Sequence, residues 1–331
     1  MSAAAPQSPP SIRGIHHVTA IASDPQANHD FYTHALGLRL VKRTVNFDDP
    51  GTYHFYFGDE RGTPGTILTF FPWPGARAGR RGSGQATVTG FLVPPGSLEA
   101  WRERLLKAEA NVETPMERFG LRTLRVYDND DLQLELVEHE DAARVEPWSG
   151  PGDHAVPAEM AIRGFFGVTL CVRDLDATAR LLVEEMGFRH EADDQKHVRY
   201  VAAGEPGVPG RRVDLVFSPD ASPGIAAAGT VHHVAFRVAD AQQQERWLAH
   251  LTEAGHYPTP VQERQYFRSV YFREPSGVLF ELATDGPGFT IDEPLEHLGE
   301  SLKLPEWFEP RRERIEQVLP PLVTGAVEPQ A

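Results

Sequence analysis

The sequence predicts an α+β fold built from four copies of one βαβββ module, set in two halves and followed by a C-terminal extension. Three observations carry this. A strand, a helix with apolar residues at helical spacing and several further short strands recur four times, with a period of roughly 55–75 residues. A Pro-, Gly- and acid-rich passage, "HEDAARVEPWSGPGDHAVPAEM", breaks all periodicity near the middle of the chain. And His-His-Val opens two strands that lie far apart, "GIHHVTAIA" at 14–22 and "TVHHVAFRV" at 230–238.

Each module can be followed along the chain. The first runs from "IHHVTAIA" through the helix "PQANHDFYTHALG" to "LRLVKRTVNF", "YHFYFGD" and "TILTFFPW"; the second opens on "ATVTGFLV", carries the helix "SLEAWRERLLKAEA" and closes with "TLRVYDND" and "LQLELVEH". The third contains "GFFGVTLCV", the helix "LDATARLLVEEMG", "HVRYVAAG" and "RVDLVFSP"; the fourth contains "VHHVAFRV", the helix "AQQQERWLAHLTEAG", "RSVYFREP" and "VLFELATD". The modules pair in sequence into halves over 12–140 and 162–285, joined by a linker at 141–161. Residues 286–331 are an addition to the repeat, and their Glu/Arg-rich stretch from Glu309 to Val318 reads as a helix.

Bulk properties narrow the function. An apolar fraction of 40% and a charged fraction of 24% over 331 residues are those of a soluble globular protein. There is no apolar run long enough for a bilayer and no basic-then-apolar leader in "MSAAAPQSPPSIRG", so a cytoplasmic protein with a loose N-terminal tail is expected. The net charge of -15 argues against a nucleic-acid partner, which is bound through clustered positive charge. Arg77, Arg80 and Arg81 lie among glycines and read as a solvated loop. The single cysteine, Cys171, sits in "FFGVTLCV" and reads as a buried core thiol.

Paired βαβββ modules in this layout resemble the vicinal oxygen chelate superfamily, over about 270 residues. The resemblance implies mixed sheets cupped around a metal. Strand parity then tests the histidines, because ligands must lie on the inward face. His17, Thr19 and Ile21 share one face of the first strand, and His233, Ala235 and Arg237 the matching face of its counterpart. In "GVLFELATD", Glu281 stands in an apolar run, where a carboxylate is costly to bury unless paired or bound to a cation. Any one of these residues alone is more often a hydrogen-bonded core or surface group. Together, two His and one Glu on cup-lining strands of modules one and four match the 2-His-1-carboxylate set that leaves open positions on a non-haem iron. Modules two and three have no histidine at their strand starts. Gly167 falls at a ligand position, and Glu135 in "LQLELVEH" mimics Glu281 without partners and reads as structural.

Within the superfamily the stretches "GIHHVTAI", "DDPGTYHFYFGDERGTPGTILTFFPW", "VHHVAFRV", "EPSGVLFELATDGPGFTIDEP" and "LPEWFEPRRERIE" resemble ring-cleaving dioxygenases of the hydroquinone type, such as those opening 2,6-dichlorohydroquinone or methylhydroquinone. The match spans nearly the whole chain. It implies Fe(II), with Mn(II) as an alternative, held by His17, His233 and Glu281, and a small aromatic substrate opened with O2. A tyrosine ten residues before the glutamate is typical of such enzymes, and Tyr271 stands there. If "PSG" is a three-residue hairpin loop with Gly277 at positive φ, Tyr271 also lies directly across from Glu281. Arg264 is the candidate partner of an anionic oxygen.

His16 and His232 face away from the inward parity, which favours packing; a bulge could turn either toward substrate, and the resemblance favours a supporting catalytic role for His232. Thr19, His54 and Phe289 are the further substrate-wall candidates, with Phe70 and Trp73; for the three aromatic residues core packing is the default reading. The competing readings are a glyoxalase-like isomerase, a thiol transferase and a metal-free binding protein of the same fold. The isomerase needs a fourth ligand that "TILTFFPW" lacks. A homo-oligomer is expected from the exposed sheet edges and the tail.

Overall fold

The computed structural model describes residues 12–150 and 154–324. Most of the expected N-terminal tail, residues 151–153 of the linker and residues 325–331 of the extension lie outside the described residues. Module one supplies β1 (Ile15–Ala22), α1 (Pro25–Asp30), β2 (Arg39–Asn46), β3 (Asp49–Gly58) and β4 (Ile67–Pro72). Module two supplies β5 (Gln85–Val93), α2 (Leu98–Lys107), β6 (Asn111–Val112), β7 (Met116–Arg118), β8 (Leu121–Tyr127) and β9 (Gln133–Glu138). Module three supplies β10 (Phe165–Val172), α3 (Leu175–Arg180), β11 (Arg189–Asp194), β12 (His197–Val201) and β13 (Arg212–Phe217). Module four supplies β14 (Thr230–Val238), α4 (Ala241–Glu253), β15 (Gln262–Glu263), β16 (Arg268–Arg273) and β17 (Leu279–Thr284), and α5 (Arg312–Val318) closes the extension.

Local chemistry starts three of these helices in the same way. Asp24, Asp174 and Asp240 cap α1, α3 and α4, each carboxylate accepting from the backbone N–H three residues on. Both α1 and α3 run on into a π-helical turn, Phe31–Ala35 and Leu181–Glu185, so the two halves repeat even this irregularity.

The modules pair across the halves. One sheet has the order β15-β16-β17-β14-β1-β4-β3-β2 and joins modules four and one; the other has the order β11-β12-β13-β10-β5-β9-β8-β6, with β7 on β8, and joins three and two. The boundaries at 12–140 and 162–285 thus mark stretches of chain, while each sheet draws one module from each stretch. The seams are the antiparallel pairs β1–β14 and β5–β10. All eight residues of β1 and of β10 are buried, as central strands covered on both faces must be.

Alternation sorts the faces of the first sheet. Val18, Ala20, Leu68, Phe70, Val234 and Phe236 join the large core, whereas Val41, Tyr56, Ile67, Ala235 and Ala283 join a smaller cluster on the cupped face. Cys171 is buried, and Arg77, Arg80 and Arg81 are exposed.

The extension seals the outer edge of the first sheet. Leu302 bridges Arg43 on β2, and Lys303 N–H donates to the Arg43 carbonyl at 2.9 Å. Lys42 has no exposed surface and reaches Asp292 and Glu293, each at 2.6 Å. The helix expected over 309–318 forms as a 3₁₀ turn, Glu309–Arg311, flowing into α5.

Candidate metal centre and its cavity

Three donor atoms meet on the cupped face. His17 Nε2 lies 3.2 Å from His233 Nε2 and 3.3 Å from Glu281 Oε2, and His233 Nε2 lies 2.9 Å from the same oxygen. Donors held about 2.0–2.2 Å from one cation at right angles lie about 3 Å apart. Glu281 Oε2 is buried and has no aligned hydrogen-bond donor, while Ser269 Oγ donates to Oε1 at 2.5 Å. Burial opposes the charge on Glu281, and positive charge at His17 and His233 outweighs it and holds the carboxyl well below the usual carboxylate range; with both imidazoles neutral, a bound cation supplies that charge. An anionic oxygen without a donor, facing two imidazole nitrogens, is a set of lone pairs that a cation completes.

The paired histidines owe their arrangement to bulges. In the β1–β14 ladder Ile15 pairs with Phe236 and His17 with Ala235, so His16 is the extra residue; Thr19 pairs with His233 and Ala20 with Val231, so His232 is the extra residue. Each extra histidine presents Nδ1 to the Nδ1 of its neighbour, at 2.9 Å for His16–His17 and 2.8 Å for His232–His233. Burial, and then the neighbouring imidazole, lowers the pKa of both His16 and His232, which favours their neutral form. When each accepts from its neighbour's Nδ1–H, both Nε2 lone pairs are turned toward Glu281.

A cavity of about 350 Å³ opens beside the three donors. Thr19, His54, Arg264, Tyr271 and His232 line it, with Phe71 and Trp73 as an apolar wall. Tyr271 pairs directly with Glu281 across the β16–β17 hairpin, whose three-residue loop ends on Gly277 at φ 106°. Burial and the Glu281 charge raise the Tyr271 pKa, keeping the phenol protonated. Arg264 stands over the Tyr271 ring, 5.7 Å from its centroid, and pairs with Asp48 at 3.2 Å. His54 Nε2 is 2.8 Å from Thr69 Oγ1, and its Nδ1 is 2.9 Å from the Tyr56 hydroxyl.

Three expectations are corrected. His16 does not reach the cavity, because its bulge seats the ring against His17 and Phe267. Phe289 is not a wall residue; its ring is buried behind the wall against Tyr56 and Tyr266. Phe70 faces the main core, and its neighbour Phe71 takes the wall position, a consequence of parity on β4. Sequence reasoning missed Ser269 and Thr69. Parity carried a signal for both, since Ser269 shares a strand face with Tyr271 and Thr69 pairs with Thr19.

The second sheet holds the same scaffold with other contents. Gly167 stands at the register of His17, and a Cβ there would meet the Arg212 carbonyl oxygen at 2.3 Å, so no ligand side chain fits. Glu135, the counterpart of Glu281, is clamped by Arg118 and by Arg125 at 3.0 Å. Asp214 is gripped by Arg199 at 2.7 and 2.8 Å. Guanidinium groups neutralise the carboxylates there. Among the described residues one other group, His29, Asp30 and His34, gathers three donor atoms, but His29 Nδ1 already meets Asp30 Oδ1 at 2.9 Å and no atom of it is left orphaned.

A two-histidine, one-carboxylate pocket floored by the joined central strands of two βαβββ modules defines a vicinal oxygen chelate protein. Residues 14–156 and 164–282 match the family described as the Glyoxalase/Bleomycin resistance protein/Dioxygenase superfamily, and the chain belongs to it. Over 308 residues it is 48% identical to "Putative ring-cleaving dioxygenase MhqO" of Bacillus subtilis (strain 168), covering 93% of this chain and 96% of that protein. It is 35% identical over 304 residues to "Chlorohydroquinone/hydroquinone 1,2-dioxygenase" of Sphingobium indicum, covering 90% and 93%. A crystal structure of a "putative dioxygenase" from Bacillus subtilis superposes with a TM-score of 0.89 at 47% identity, covering 95% of this chain and 98% of that one. Glyoxalase I from Zea mays, at 14% identity and a TM-score of 0.59, shares the fold alone.

Proposed function

We propose that this chain is an Fe(II)-dependent ring-cleaving dioxygenase that opens a substituted hydroquinone with O2. The observation that carries the reading is the orphaned Glu281 Oε2 facing His17 and His233 beside a cavity large enough to admit an aromatic ring. The names of the relatives in Bacillus and Sphingobium supply the substrate class. His17, His233 and Glu281 would hold the metal, and Fe(II) in such a set supplies open positions for substrate and O2 together with the electron transfer that O2 chemistry requires.

The chain's own groups do the rest. Phe71 and Trp73 wall the ring on one side and exclude water. Arg264 stabilises an anionic substrate oxygen, and Tyr271, kept protonated, supplies a proton to it. His232 stays neutral and, with Nδ1 accepting from His233, keeps its hydrogen on Nε2, the donor it offers to an oxygen atom in the cavity. Thr69 occupies in module one the register position that Glu281 holds in module four. The lack of a carboxylate at that point favours an open three-donor centre over a four-ligand isomerase site.

The test is anaerobic purification with metal analysis, followed by O2 uptake with methylhydroquinone, chlorohydroquinone and catechol. Iron near one per chain and hydroquinone-dependent uptake, both lost in His17→Ala and Glu281→Ala, is the expected result. Uptake supported by manganese alone would reassign the metal. Lack of uptake after Fe(II) reconstitution would overturn the reading.

A further inference from the structure

Three side chains that border the cavity, and a fourth buried between them, form a line that takes no part in gathering the metal donors. Thr19 Oγ1 is 3.0 Å from Thr69 Oγ1, which is 2.8 Å from His54 Nε2, and His54 Nδ1 is 2.9 Å from the Tyr56 hydroxyl. The sheet sets their spacing: Thr69 pairs with Thr19 on one side and with Tyr56 on the other. Thr19 and Thr69 have no exposed surface, and Thr19, His54 and Tyr56 all border the cavity.

Every group in this line can both give and take a hydrogen. Two self-consistent polarities follow. In one, Tyr56 O–H donates to His54 Nδ1, His54 Nε2–H to Thr69, Thr69 O–H to Thr19, and the Thr19 hydroxyl hydrogen points into the cavity. In the other, every bond is reversed and Thr19 turns a lone pair to the cavity. Passing from the second to the first takes one proton in at Thr19 Oγ1 and gives one out at the Tyr56 hydroxyl, leaving no charge in the line. That neutrality suits the site, since burial holds the His54 imidazole far below and the Tyr56 phenol far above their ordinary titration ranges.

We propose that Thr19, Thr69, His54 and Tyr56 form a proton wire, which takes the hydroxyl proton of a dihydroxybenzene as it becomes phenolate and returns one when the product oxygen is reprotonated. The substrate O–H bond breaks as a Thr19 O–H bond forms, three protons shift along the line, and the Tyr56 proton passes to water in the cavity; the return pass reverses each step. Thr19 touches the substrate, whereas Thr69, His54 and Tyr56 are positioning residues. The substrate's identity rests on the dioxygenase reading; the wire itself is a property of the protein without metal.

Two measurements test it. In metal-free, 15N-histidine-labelled protein, His54 is assigned through His54→Phe. Its imidazole should be neutral with ring shifts averaged between two tautomers, and Thr69→Val should collapse it to one; a single tautomer in the unsubstituted protein, unchanged by Thr69→Val, overturns the wire. In the iron-loaded enzyme, Thr69→Val and Tyr56→Phe should each lower kcat at least about tenfold with KM within about threefold. Their double variant should fall no further than the worse single one, the solvent deuterium effect on kcat should shrink, and Thr69→Ser should restore it. Additive losses, or losses in KM alone, overturn the wire. Iron per chain and melting temperature identify a misfolded variant, in which case Thr69→Ser and the spectroscopic arm decide. An enzyme that oxidises no dihydroxybenzene while its His54 switches tautomer retains the wire and loses the dioxygenase reading.

Discussion

Glu281 is the residue on which the site turns, and its two oxygens differ in what holds them. Oε1 takes a hydrogen bond from Ser269, and Oε2 is left for the two histidines. Ser269→Ala is therefore expected to free the carboxylate to rotate and to weaken metal binding about 10- to 100-fold, measured by titration with Fe(II), while leaving the fold intact. His54 gives a second expectation. Its folded pKa lies well below its unfolded value, so the unfolded chain binds a proton that the native one refuses. Stability is then fully present above the unfolded imidazole pKa and is lost as pH falls. In denaturation between pH 7 and 5 the metal-free protein should lose stability below pH ~6.5 more steeply than His54→Phe, by up to about 1.4 kcal/mol per pH unit, on top of the loss that His16 and His232 contribute to both.

At the scale of elements, the bulges at His16 and His232 place two neighbouring histidines where regular alternation would send one of them to the opposite face. The second sheet repeats the bulges, with Phe166 and Thr87 as the extra residues, yet carries no donor set. The difference lies in side chains and in one close approach. Gly167 passes against the β13 backbone so tightly that even a methyl group is excluded. Gly167→Ala should force β10 from β13 and lower stability by about 1–3 kcal/mol in urea denaturation, with metal content per chain unchanged. A fall in metal content would mean that the two sheets communicate.

At the scale of the whole molecule, the centre exists only because the first and fourth modules share a sheet. The extension then fastens the edge of that sheet through Lys42, buried between Asp292 and Glu293. Lys42→Ala leaves the Glu293 carboxylate buried without its cation and should cost about 3–5 kcal/mol in chemical denaturation, whereas Lys42→Met combined with Glu293→Gln should recover much of that loss. If the single substitution costs less than about 1 kcal/mol, the pair behaves as a surface ion pair and the extension is not fastened there.

The repeat, the α+β class and the shared inward face of His17 with Thr19 and of His233 with Ala235 were legible in the sequence, because these rest on periodicity that neighbouring residues report locally. The sequence also marked His17, His233 and Glu281, since polar groups stand out in apolar strands, and the hairpin loop length placed Tyr271 opposite Glu281. The donor set already pointed to a site between modules one and four, but the sharing of one continuous sheet by those modules came from the fold, because strand pairing between distant segments depends on packing that no local pattern encodes. The tertiary structure alone put the bulges at His16 and His232, moved Phe289 behind the wall and linked Thr19 to His54 through Thr69. Those placements depend on one-residue insertions in the β1–β14 ladder and on contacts between segments far apart in the chain, which a one-dimensional pattern of residue types does not contain.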